Sequence, residues 1–221
     1  MESPLHHELK KEFQLERLIL FSDAVFAIAI TLLVLEIRVP EIDRHVATDA
    51  LLLHSLNELI PKFVGFFISF FIIGLYWTIH HYIFGFVVNY TLRLKWINLL
   101  FLLAVVLMPF STAFYSEYVV RLLKLPVIIY VVNIVFLGAM NFILWKYVTA
   151  PHRKLTEGIN RREVKYFSFR AITVPCAFVL MGLIYLFVQP EYALIVAALV
   201  PVTIRIARRF LFPKTAKASK P

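Results

Sequence analysis

The chain holds one cysteine, Cys176, and six glycines among 221 residues. A lone thiol has no disulfide partner and too few companions for a thiolate metal site, and so little glycine excludes a collagen-like repeat. Charge is scarce as well, at 17% of residues against roughly a quarter in a soluble domain. What fills the chain is apolar: 61% of it is hydrophobic and 15% aromatic. A water-facing globule of this length has no place to hide that much hydrophobic surface, and the low charge fraction excludes disorder. The composition is that of a membrane protein.

A bilayer core about 30 Å thick needs roughly 20 apolar residues per helical span. Six runs of that order are expected to span: residues 17–37, 59–84, 94–115, 125–145, 167–188 and 190–207. The last two follow so closely that a tight hairpin is expected. Pro109, Pro175 and Pro201 lie inside runs, which membrane helices tolerate when neighbours re-satisfy the freed carbonyls, and kinks are expected there. The ten-residue alternation of a β-barrel is absent, so the expected fold class is all-α, a polytopic membrane protein of six transmembrane helices. One domain is expected over residues 1–221, with short cytoplasmic termini at 1–16 and 208–221. Ala27-Ile28-Ala29 has the small-x-small form of a signal cleavage site, but the apolar run continues to Leu35 and contains Asp23, so it reads as a span.

The net charge of +9 would suggest nucleic acid in a soluble chain; here the positions decide. With the N-terminus inside, 18 of the 23 Lys and Arg fall on the cytoplasmic side, and only Arg38, Arg44, Lys62, Arg121 and Lys124 fall outside. The topology is therefore expected to be N-in and C-in. The basic loop from Lys146 to Arg170 and the tail after Arg205 read first as topology signals, with contact to anionic lipid head groups as the functional expectation, and nucleic acid is not needed as a partner. The segment from Glu36 to Glu58 carries five acids, which with Glu117 and Glu191 make the outer face acidic.

A carboxylate at membrane depth costs on the order of 3 kcal/mol on insertion scales, so it persists only where partners or function compensate. Asp23 is such a residue. Arg17 stands six positions earlier and points elsewhere at 100° per residue, so a bridge within the helix is disfavoured. Better partners lie level with it on the second run, in Trp77-Thr78-Ile79-His80-His81, where Trp77 shares a face with both imidazoles. Indole and imidazole N–H groups donate, while Ser22 and Asp23 accept. Two histidines at an aqueous boundary without a role are an equally open reading, and no further His or Cys stands at metal-ligand spacing. On the other side of the first run, Ile28, Leu32 and Leu35 form an apolar stripe with Thr31 beside it, and Asp23 lies about 140° from Ile28. Periodicity alone reads such a stripe as helix packing.

Taken in order, Arg17-x-x-x-Phe21-Ser22-Asp23, Ala27-Ile28, Thr31-Leu32, Trp77-x-x-His80-His81, Trp96-x-Asn98-Leu99-Leu100 and Met108-Pro109-Phe110 resemble the transmembrane protein 175 family of potassium channels. The likeness covers the first half of the chain. It implies a potassium-selective channel, not an enzyme, whose pore is lined by the first helix. The motif stands once, so the resemblance to the single-repeat bacterial form implies a homotetramer in the plasma membrane. It maps the hydrophobic constriction to Ile28, with Leu32 and Leu35 as further rings and Thr31 as a polar neighbour. Arg17, Phe21, Ser22, Asp23, Trp77, His80 and His81 map to a network that holds the pore helix. No cofactor and no resident metal are implied, only potassium in transit.

The re-entrant T-V-G-Y-G filter of other potassium channels is missing from the sequence, so selectivity must arise elsewhere. A dry ring of Ile28 side chains favours the more weakly hydrated cation. The main alternative is a proton-conducting channel or proton-coupled transporter using Asp23 and His80, since histidine titrates near neutrality. Inverted repeats and discontinuous mid-membrane helices, the usual marks of a transporter, are not visible.

Overall fold

The computed structural model describes residues 4–43, 45–187, 205, 206 and 209, with side chains from residue 12 onward. Among the described residues seven α-helices follow in order: α1 (Pro4–Leu35), α2 (Asp49–Glu58), α3 (Ile60–Phe84), α4 (Leu92–Val106), α5 (Met108–Tyr118), α6 (Lys124–Val148) and α7 (Arg161–Phe187). Among the described residues five stretches are long and apolar enough to cross a membrane: Glu12–Leu35, Ile60–Phe84, Leu92–Arg121, Lys124–Val148 and Arg161–Phe187. The chain is thus all-helical and multi-pass. The expected sixth span, 190–207, Pro201 within it and the terminus 208–221 fall almost wholly outside the described residues. At the other end α1 begins at Pro4 and runs on through residue 16 into the first apolar run.

Local chemistry sets the helix ends. Thr48 and Thr91 cap α2 and α4 by accepting from the backbone N–H of Leu51 and Leu94 at 3.3 and 3.1 Å. Asn160 and Glu163 form a reciprocal capping box at the start of α7. The third expected span is two helices: α4 ends at Val106, Leu107 caps both, and Pro109 sits in the first turn of α5, where its missing N–H costs least. Pro175, by contrast, leaves α7 unbroken and packs against Gly138 of α6. The acidic segment between the first two expected spans contains α2, which buries no residue.

Helix α1 lies against α3, α4 and α5, and α6 lies against α4, α5 and α7. The apolar interior has two parts. One, toward the α1 C-terminus, joins Phe26, Leu33, Ile73, Phe101, Met108 and Ile134 with their neighbours. The other, toward the α1 N-terminus, joins Leu15, Leu18, Ile83, Leu94, Trp145 and Leu155. Ser22, His80 and Asn98 are buried between them, each preceded and followed on its own helix by members of the two clusters. A second buried polar group stands farther along, where Thr112 lies 2.7 Å from Ser69 and Ser69 lies 3.0 Å from the Tyr130 hydroxyl.

Candidate functional site

Burial divides α1 lengthwise. Leu15, Leu18, Ser22, Phe26, Ala29 and Leu33 recur at three- and four-residue steps and are buried in the bundle. On the other side Ile28 is 59% and Leu35 68% exposed, and Leu32 and Thr31 are exposed with them. The Thr31 hydroxyl donates to the Ile28 carbonyl at 2.9 Å, so its oxygen keeps lone pairs directed outward. One chain therefore leaves an aliphatic face with a hydroxyl beside it uncovered along a membrane span.

Asp23 sits at the flank between these faces, half-buried. The Trp77 indole N–H donates to its Oδ1 at 2.9 Å, tying α3 to α1. A bond to a carboxylate is worth about 1.5–3 kcal/mol, enough to offset much of the cost of holding that charge at this depth.

A second linkage runs through the buried layer. His80 Nε2 and Asn98 Oδ1 are 2.8 Å apart, Asn98 Nδ2 donates to Ser22 Oγ at 2.8 Å, and Ser22 Oγ donates to the Leu18 carbonyl at 2.8 Å. The Ser22 proton is committed to Leu18, so Ser22 receives from Asn98; the amide oxygen then faces His80, which must donate. Donation passes in one direction from α3 through α4 to α1. His80 is fully buried, stacks on Phe101 with ring centroids 5.5 Å apart, and also meets Phe84 and Phe26. Its Nδ1 has no hydrogen-bond partner among the described residues.

The seven motif residues are thus not one cluster. Ser22 and His80 join through Asn98, and Asp23 joins Trp77 separately. Arg17 is exposed with its guanidinium 5.8 Å from the Phe13 ring, and Phe21 is exposed on the same side as Ile28. His81 is exposed, its ring 6.1 Å from that of Trp77. Asn98 is the central residue that sequence reading quoted in a motif and assigned no role. An amide on the face of α4 otherwise made of Leu94, Phe101, Leu102 and Val105 was the available signal. Among the described residues no three His, Cys, Asp or Glu gather as a metal site.

Residues 17–109 match the family model described as the endosomal/lysosomal potassium channel TMEM175. A potassium channel of Chamaesiphon minutus is 34% identical over 158 residues, which cover 71% of this chain and 77% of that protein. A potassium channel of Streptomyces collinus is 42% identical over 98 residues, and the match spans 44% of this chain and only 46% of that relative's length. The endosomal/lysosomal proton channel TMEM175 of Gallus gallus is 36% identical over 115 residues, half of this chain and 23% of its own. In three dimensions the chain is similar to the crystal structure of a lysosomal potassium-selective channel TMEM175 homologue from Chamaesiphon minutus. The TM-score is 0.72 at 27% identity, with 87% of this chain and 97% of that one covered.

Proposed function

The chain belongs to the TMEM175 family, whose members are ion channels and not enzymes, and from that premise we propose that it is a potassium-selective channel built as a homotetramer around α1. Four copies of α1 surround the axis, Ile28 forms the hydrophobic constriction, and Leu32 and Leu35 form wider rings toward the outer end. Thr31 offers hydroxyl oxygens beside the narrow ring. The observation that carries this reading is the two-sided burial of α1: its Ile28, Thr31, Leu32 and Leu35 face is left uncovered by its own chain.

Selectivity follows from hydration. An aliphatic ring supplies no ligand, so a permeating ion sheds water against a dry wall, and the larger, more weakly hydrated potassium ion loses less than sodium does. The N-terminus lies inside, the 18 inner Lys and Arg face the cytoplasm and its anionic lipids, and the membrane is the plasma membrane.

The vertebrate relative named a proton channel supports a second reading, in which protons also pass. A relay through Asp23 and His80 has little support in the side-chain geometry. The partner of Asp23 is an indole, which donates and cannot accept, and the partner of His80 is an amide, which does not titrate. Any proton current is better assigned to the axis. The test is full-length protein reconstituted in liposomes under opposed potassium, sodium and pH gradients. Reversal near the potassium potential is expected; vesicles tight to potassium, or reversal that follows the pH gradient alone, rejects the reading.

A further inference from the structure

The two loops at the α1 N-terminal end of the bundle are stitched together. Val88 N–H donates to the Leu155 carbonyl at 2.9 Å, Glu157 N–H to the Phe86 carbonyl at 3.0 Å, and the Asn89 amide to the Lys154 carbonyl at 2.7 Å. Lys154 has φ of 51°, a left-handed conformation uncommon for a residue with a side chain, and the Asn89 bond helps to hold it. The effect is to fix the start of α4 beside the end of α6 and the turn after it.

Two guanidinium groups converge there on one ring. Arg153 lies 3.9 Å from the centroid of Tyr147 and donates to the Tyr147 carbonyl at 3.3 Å; Arg93, from the first turn of α4, lies 5.8 Å from the same ring. The ring is anchored at its far end, where the Tyr147 and Thr91 hydroxyls are 3.1 Å apart. Neither arginine is ion-paired with a carboxylate among the described residues. Arg93 is exposed, and so are Leu92 and Trp96 beside it on α4. Two guanidinium groups thus lie within 6 Å of one tyrosine ring, without a carboxylate partner among the described residues, at the boundary where a membrane helix begins and a tryptophan marks the interface.

We propose that Arg93 and Arg153, positioned by Tyr147, bind the phosphate of an anionic phospholipid at this face. Guanidinium forks fit phosphate oxygens, an anion supplies the counter-charge that the described carboxylates do not, and the exposed Leu92 and Trp96 give the lipid's apolar part a surface. The site sharpens the lipid contact proposed above and rests on this end of the bundle meeting the inner leaflet; it does not depend on which ion the chain conducts.

The test is thermal unfolding of the purified full-length protein in zwitterionic detergent, with phosphatidylglycerol or phosphatidylcholine added. Phosphatidylglycerol alone is expected to raise Tm by about 2–4 °C at lipid well above its dissociation constant. R93Q and R153Q each lose most of that rise, while the paired variant R161Q/R162Q, which removes twice as much charge from the same end as either, keeps it. R93Q is the decisive variant, because Arg93 makes no hydrogen bond to the described residues and its loss leaves the loops stitched. Retention of the full rise in R93Q, its equal loss in R161Q/R162Q, or an equal rise from soluble glycerol phosphate overturns the proposal. Since melting and not ion flux is read, this failure is distinct from failure of the channel assignment.

Discussion

Asn98 donates to Ser22 across the contact between α4 and α1 at 2.8 Å, and its position is dictated at both ends. Ser22 has already given its proton to Leu18, and His80 offers one on the other side. The amide can therefore stand in only one orientation. In a layer flanked above and below by aliphatic and aromatic side chains, such directed bonds set the rotation of α1, which apolar packing alone leaves free to slip. Rotation of α1 decides which residues face away from the bundle, so the buried layer and the exposed Ile28 stripe are two consequences of one placement.

Replacing Asn98 with Leu conserves bulk and removes both bonds. Ser22 keeps its bond to Leu18, but His80 is left with neither ring nitrogen paired, since Nδ1 has no partner among the described residues. An orphaned buried polar group costs about 1–3 kcal/mol. The expected outcome is a lower melting temperature in detergent, with His80→Phe in the N98L background recovering part of the loss. A double variant no more stable than N98L would show that the imidazole was not the group left in deficit.

Trp77→Phe keeps an aromatic ring and deletes the donor to Asp23. The carboxylate then faces membrane depth without its indole, and the expected result is fewer assembled channels and a smaller flux per milligram. Asp23→Asn and His80→Ala should likewise impair assembly or opening more than ion preference. Reversal potentials measured on the assembled fraction of each variant should match the parent; a changed potassium-to-sodium preference with normal assembly would move these residues from an anchoring role to the conduction path.

Five of the six spans expected from hydropathy fall on long apolar helices among the described residues, because hydropathy measures depth, and depth is one-dimensional. It also set Asp23 level with Trp77, since two antiparallel spans of known ends can be laid side by side. What it does not carry is which partner a buried donor selects. His80 was open to Ser22 or Asp23 by inventory, and the structure gives it Asn98, a residue from a third helix whose rotation no two-helix comparison supplies. For the same reason the Ser69, Thr112 and Tyr130 group went unread: each is an ordinary polar residue within an apolar run, and only the meeting of α3, α5 and α6 makes them a cluster. The stitching of the loops at Val88 and Leu155 was illegible because residues far apart in the chain pair through backbone atoms, which leave no side-chain signature.

The crossing of α6 and α7 depends on a missing side chain. A Cβ at Gly138 would lie 2.8 Å from Pro175 Cγ and 2.9 Å from its Cβ, and a pyrrolidine ring inside a helix has little freedom to retreat. Gly138→Ala should therefore destabilise by about 1–3 kcal/mol through overpacking, despite the better helix propensity of alanine. Pairing it with Pro175→Ala should recover much of the loss, and melting of the two single variants and the double variant reads the coupling directly. Strict additivity would mean that the two helices do not meet at these residues.

Ile28→Asn addresses the proposed constriction. Ile28 is exposed on α1, and the bond from Thr31 uses its backbone carbonyl, so changing the side chain removes little packing within one chain. Exposed substitutions of that kind usually stay within about 0.5 kcal/mol, and melting should be nearly unchanged. In the proposed tetramer, four amides at the Ile28 ring would replace a dry wall with dipoles and room for water. The energy of shedding hydration then falls for sodium more than for potassium, because sodium holds its water more tightly. Conductance should rise and potassium preference should shrink together, measured as current amplitude and as the reversal potential under a potassium–sodium gradient. A folded, assembled I28N channel with the parent reversal potential would place the selective ring elsewhere on α1, and Thr31 and Leu32, one turn farther along the same face, would be the next positions to exchange.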